Sequence, residues 1–157
     1  MLYWQYEVSL VDIFTDDAVI DYPECCMPIL VGWDDKEPSI ILWSYAQEWT
    51  WQESVEAAEQ TQVLRQSVSN QSIVVVLNMD FVQTIPRDSI RNMRRLLHHL
   101  QGGDFVILCG SNTAVNVITS FLRTLFQNEA DRILMAASLE EARTLAREIL
   151  SGSPPIR

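Results

Sequence analysis

Lysine is almost missing from this chain. Lys36 is the only one in 157 residues, so every other basic side chain apart from two histidines is an arginine. Bases are scarce as a class, eleven Lys and Arg against twenty-one Asp and Glu, and the net charge of −10 excludes general binding to nucleic-acid phosphates. No stretch approaches the 18 or so uninterrupted apolar residues of a membrane-spanning helix. The opening MLYWQYEVSL has no positive segment of the kind that begins a signal peptide, and the expectation is a cytoplasmic protein without membrane insertion. Cysteine is sparse and odd in number. Cys25 and Cys26 are adjacent and poorly placed to bond each other, and Cys109 stands apart, which points to reduced thiols. The only histidines, His98 and His99, are neighbours about 100° apart on a helix. With no HExxH spacing, no GxSxG elbow and no local Cys–His pairing, the chain nominates no catalytic residue, no metal site and no cofactor, and it reads as a non-enzyme. Repeats and low-complexity tracts are also missing.

What is present fits one compact domain: 48% hydrophobic and 20% charged residues. Charge is unevenly spread. Residues 1–27 carry six acids and no base, and residues 28–60 carry seven acids and one base. Residues 61–100 reverse the sign with two acids and five bases, and the basic island lies between Arg87 and His99. In the acidic extension 1–27, Trp4, Tyr6, Val8 and Leu10 alternate with polar residues, the pattern of an extra strand. The domain proper is expected over 28–151, followed by a short tail, 152–157.

Within that domain, Pro28 to Trp33 and Ser39 to Tyr45 are apolar runs joined by the polar turn Asp34-Asp35-Lys36-Glu37-Pro38, a hairpin signature. The acids of this turn are read as solvated. Thr50-Trp51-Gln52-Glu53 matches a capping box and predicts a helix from Trp51 to about Val68. Ser72 to Leu77 is a continuous β-branched run, as in a strand covered on both faces. Pro86 suits a first helical turn, and Ile90, Met93, Leu96, Leu97 and Leu100 follow at helical spacing up to Gly102-Gly103. Asp104 to Cys109 repeats the buried-strand pattern, and a third helix carries Val115, Ile118, Phe121, Leu122 and Leu125. Arg132 to Met135 reads as a last short strand. Ser138-Leu139-Glu140-Glu141 caps a final helix that Gly152 closes. The order β, β, α, β, α, β, α, β, α predicts an α/β fold, a mostly parallel sheet with an N-terminal hairpin and about four helices.

This order and several local phrases resemble the STAS domain, the fold of bacterial anti-sigma-factor antagonists, over about residues 28 to 150. The phrases are the WDD turn at Trp33 to Asp35, WTWQE at Trp49 to Glu53, SIVVVLNMDFVQTIPRDSI at Ser72 to Ile90 and RILMAASLEEARTLA at Arg132 to Ala146. The resemblance implies a STAS-like sandwich and a stand-alone regulatory module that works by protein–protein contact. It also implies a phosphorylatable serine at the start of the helix after the central strand. Here that position reads Pro86-Arg87-Asp88-Ser89, without the family's glycine, and Ser89 and Thr84 are the nearest hydroxyls.

Arg87, Arg91, Arg94 and His98 fall on one stripe of the second helix, with Arg95 and His99 beside it and the leucines opposite. Forked guanidinium donors suit carboxylates, so Arg87, Arg91, Arg94 and Arg95, with the loop from Asp80 to Pro86, are the candidate contact with an acidic protein partner or the acidic half of a second copy, a homodimer included. A solvated helix face is the plainer reading of the same stripe. Trp33, Trp43, Trp49 and Trp51 offer an alternative, the wall of a pocket for a small hydrophobic ligand in a carrier resembling the CRAL-TRIO domains. They also suit an ordinary core. The third helix has a wider apolar band, Val117 through Phe121 and Leu125 to Phe126, than one buried face needs, and its excess suits a dimer contact. The loop Cys109 to Thr113 reads as a capped turn rather than an anion cradle.

Overall fold

The computed structural model describes residues 28–68, 71–100, 105–127 and 130–152. The strand expected near Trp4 to Leu10 and the pair Cys25 and Cys26 lie outside these residues. Five strands, β1 (Ile29–Trp33), β2 (Ile40–Tyr45), β3 (Val74–Asn78), β4 (Phe105–Cys109) and β5 (Ile133–Ala136), alternate with four helices: α1 (Trp51–Gln66), α2 (Ser89–His99), α3 (Thr113–Leu125) and α4 (Leu139–Leu150). The strands form a single sheet in the order β1-β2-β3-β4-β5; β1 and β2 are antiparallel and every later pair is parallel. SIVVVL and FVILC therefore hold neighbouring inner strands, Val75 opposite Val106 and Leu77 opposite Leu108.

Because the parallel strands advance one step at a time in one direction, crossovers of a single hand place α1, α2 and α3 on the same face. The side chains sort accordingly. Ile41, Trp43, Val75, Leu77, Val106 and Leu108 meet Ala57, Ala58, Met93, Leu96, Val115 and Ile118 in one apolar layer. Alternate residues of the same strands, Ile40, Val74, Val76, Ile107, Cys109 and Ala136, face the other way and meet Ala142 and Ala146 of α4. Two alanines at adjacent turns let that helix lie close over β3, β4 and β5. Beyond its reach, Leu30 on the edge strand stays 56% exposed.

The caps follow the sequence with one exception. Thr50 accepts from the Glu53 amide while Glu53 accepts from the Thr50 amide, closing the expected box. Ser138 accepts from the Glu141 amide, and the Glu141 carboxylate reaches one residue further back, to the amide of Ala137. The start of α2 corrects the expectation. Pro86 is not in the first turn; its carbonyl accepts from Ser89 Oγ at 2.9 Å and from Trp51 Nε1 at 3.2 Å. Asp88 then takes a left-handed conformation, φ 59°, so the helix begins at Ser89.

Candidate functional site

Two surfaces bring charged groups together, and they behave in opposite ways. The first joins the β1–β2 turn to α4. Asp34 is enclosed, its side chain 0% exposed, and takes a bidentate pair from Arg143, Nε to Oδ2 at 2.9 Å and Nη2 to Oδ1 at 2.7 Å. The solvated-turn reading therefore fails for Asp34, while its neighbour Asp35 does remain exposed. The Glu37 amide also donates to Asp34 Oδ2 at 3.0 Å. Burial alone would raise the Asp34 pKa, but the hydrogen bonds and charge of Arg143, with the amides of Glu37 and Lys36, outweigh it and hold the carboxyl below its ordinary range. Around this pair, Lys36 meets Glu140 at 3.2 Å, Arg143 meets Glu140 at 2.5 Å and Arg147 meets Glu37 at 2.8 Å. Positive and negative groups here satisfy each other, which makes a clasp rather than a site.

The second surface is unbalanced. Neither α2 nor α3 contains an Asp or Glu, while Arg91, Arg94 and Arg95 lie on α2 and Arg123 on α3. The other two helices are acidic by contrast, with Glu53, Glu56 and Glu59 on α1 and Glu140, Glu141 and Glu148 on α4. An open groove of about 520 Å³ runs between α2 and α3, lined by Asp88, Ser89, Ile90, Arg91, Arg94 and Phe121. The helical period explains it: Met93 and Leu96 turn into the core, which leaves Ile90, Arg91 and Arg94 on the outer side. Arg94 is steadied by Phe126, whose ring centroid lies 5.9 Å from Cζ. Arg91, 83% exposed, has only Asp88 at 3.9 Å, an ion pair too wet to neutralise it.

Of the four candidate arginines, the groove gathers Arg91 and Arg94. Arg87, in the preceding loop, and Arg95 are both exposed but do not line it. Ser89 is half-buried with its hydroxyl committed to Pro86, whereas Thr84 is exposed in the loop. Ile90 and Phe121 supply the apolar half, which the arginine stripe did not announce. Its trace in the sequence was the excess width of α3, where Val117, Phe121 and Leu125 recur every fourth residue and Val117 and Leu125 stay exposed.

Of the four candidate tryptophans, Trp49 and Trp51 border an apolar space and Trp33 and Trp43 do not. Trp43 is sealed and donates to Thr61 Oγ1 at 2.8 Å. Tyr45, Trp49 and Trp51 continue edge to face, with centroids 5.0 and 4.8 Å apart, and Trp33 packs separately against the same layer. Beside Trp49 and Trp51 lies an interior space of about 40 Å³, walled by apolar side chains. That is well under the roughly 150 Å³ of a cavity that admits benzene. The loop before α3 is capped as expected: Asn112 accepts from the Val115 amide at 2.9 Å and donates to the carbonyls of Met79 and Asp80. Cys109 is enclosed at the end of β4, and burial with the nearby Asp80 and Glu141 carboxylates pushes its thiol up to about 12. Among the described residues, no helix is long and apolar enough to cross a membrane.

No protein-family model matches the chain, and no curated protein is significantly similar to it. Any functional reading therefore rests on the groove.

Proposed function

We propose that this chain is a non-enzymatic, STAS-like protein-interaction module whose α2–α3 groove binds an acidic segment of a partner, the acidic N-terminal half of a second copy included. One observation carries the reading: among the described residues, the two α-helices without a carboxylate flank an open groove that pairs two arginines with two apolar side chains. Guanidinium forks suit carboxylates, while Ile90 and Phe121 give apolar side chains of the same segment a surface to cover. Phosphorylation at Thr84 or Ser89, next to Arg87 and Arg91, belongs to the same proposal as a way to tune the contact.

The deciding experiment is capture from native lysate with the full chain and with Arg91→Glu/Arg94→Glu. Loss of the wild-type partners supports the groove as the contact, and recovery of the same partners from the variant overturns it. Native mass spectrometry of the gently purified protein addresses the carrier alternative. A retained small apolar molecule would favour a carrier, which would have to open the 40 Å³ space considerably.

A further inference from the structure

The chain itself contains a segment whose chemistry matches the groove. Residues 1–27 hold Glu7, Asp12, Asp16, Asp17, Asp21 and Glu24 without a single base. Trp4, Tyr6, Val8 and Leu10 add apolar side chains at alternate positions. The groove offers the complement, Arg91 and Arg94 with Ile90 and Phe121, and the ridge Val117–Phe121–Leu125 extends its apolar side.

The attachment point favours this docking. Pro28, where the segment joins the domain, accepts from the Ala46 amide at 2.7 Å, and Gln47 accepts from Gln83 at 3.4 Å in the loop that leads to α2. Through Pro86, that loop is bonded to Ser89 on the groove's rim. The segment thus leaves from the end of the sheet at which α2 begins. From β1 to the space over β3 and β4 is two to three strand spacings, on the order of 15 Å. Twenty-seven residues, at up to about 3.3 Å each, are long enough to cross it.

A competing surface exists around Leu30, exposed on the face that α4 leaves uncovered. The cations on that side are already engaged, Lys36 with Glu140, Arg143 with Asp34 and Arg147 with Glu37. Among the described residues, an acidic segment would meet no cation there without a carboxylate partner already in place. We infer that residues 1–27 of the same chain occupy the α2–α3 groove, their carboxylates on Arg91 and Arg94 and their apolar side chains over Ile90 and Phe121, so that a partner binds by displacing them. This inference rests on the proposed function, because the same groove serves both.

The scarcity of lysine makes a direct test available. Arg94→Lys keeps the charge and adds one amine at the groove, so a zero-length carbodiimide can join it to a carboxylate in contact. The native contact of Lys36 with Glu140, at 3.2 Å, reports in the same digest that the domain is folded. Using the full-length variant at micromolar concentration, the expected result is a link within one chain from position 94 to acids between Glu7 and Glu24. Adding Asp16→Asn/Asp17→Asn should lower its yield severalfold. Links from position 94 to Asp88 alone, or to nothing, with the Lys36–Glu140 link intact, would overturn the inference. Links found only between copies, as read from mixed isotope-labelled protein, would overturn it as well. Failure here with partner capture still abolished by Arg91→Glu/Arg94→Glu leaves the groove's function standing. Success here with capture unchanged would refute the function and leave the intramolecular contact.

Discussion

At the scale of single residues, the strongest constraint is the enclosed ion pair of Asp34 and Arg143. Truncating one partner of such a pair strands the other charge out of water, so Asp34→Ala should destabilise the fold by about 3 kcal/mol, read as a lower urea midpoint at pH 7. The pH dependence has a definite sign. The folded-state pKa of Asp34 lies below its unfolded value of about 3.8, so the carboxylate's contribution is complete above that value and is lost as pH falls through the lower, folded one. Urea midpoints of wild type and Asp34→Asn should differ by a constant amount from pH 7 to 5 and converge below pH 4. A gap that stays constant down to pH 2 would count against the pair. Gly110 is constrained differently. Its φ of 142° disfavours any L side chain, and an added Cβ would lie 2.9 Å from Val115 Cγ2. Gly110→Ala should therefore lower stability by about 1–2 kcal/mol in the same assay. Neither constraint was legible in the sequence. The acids around Asp34 look like any polar turn beside a proline, and the arginine that encloses one of them comes 109 residues later.

Elements were legible where local chemistry alone decides them. The runs VVVL and FVILC carry no polar residue, and only a strand covered on both faces suits them. Thr50 with Glu53 fixes the start of α1 through contacts three residues apart, and Thr50→Ala should cost about 1 kcal/mol by the same urea assay, with α1's first turn gaining amide exchange before the rest of the helix. The start of α2 was misplaced because its determinants are not local. Trp51 reaches across from α1 to take the Pro86 carbonyl, and Asp88 turns left-handed, delaying the helix to Ser89. The same limit applies to the groove. Its arginines show in the spacing of α2, but their apolar companion Phe121 arrives with α3, and only the strand order brings the two helices side by side on one face.

For the molecule as a whole, the proposed docking of residues 1–27 in the groove makes a prediction about oligomeric state. A chain of net charge −10 places Arg91, Arg94, Arg95 and Arg123 on one helix pair that carries no carboxylate, while residues 1–27 are rich in acids. When a binding segment and its groove belong to one chain, the intramolecular contact competes with exchange between copies at an effective concentration in the millimolar range. Light scattering of the full chain should therefore give the 18.0 kDa monomer at micromolar concentration and a rising average mass only as millimolar concentration is approached. Phe121→Asp removes apolar cover from the groove and adds a carboxylate beside Arg91 and Arg94, so its mass should stay at the monomer value throughout. Raising salt from about 0.05 to 0.5 M shortens the screening length severalfold and should flatten the wild-type rise, because the Arg91 side chain is 83% exposed and a carboxylate docking on it would be screened. A dimer through the bare ridge Val117–Phe121–Leu125 would respond in the opposite sense to salt, since screening relieves repulsion between two acidic chains and leaves apolar contact intact. The sign of that salt response therefore separates exchange of the acidic segment from simple pairing of α3.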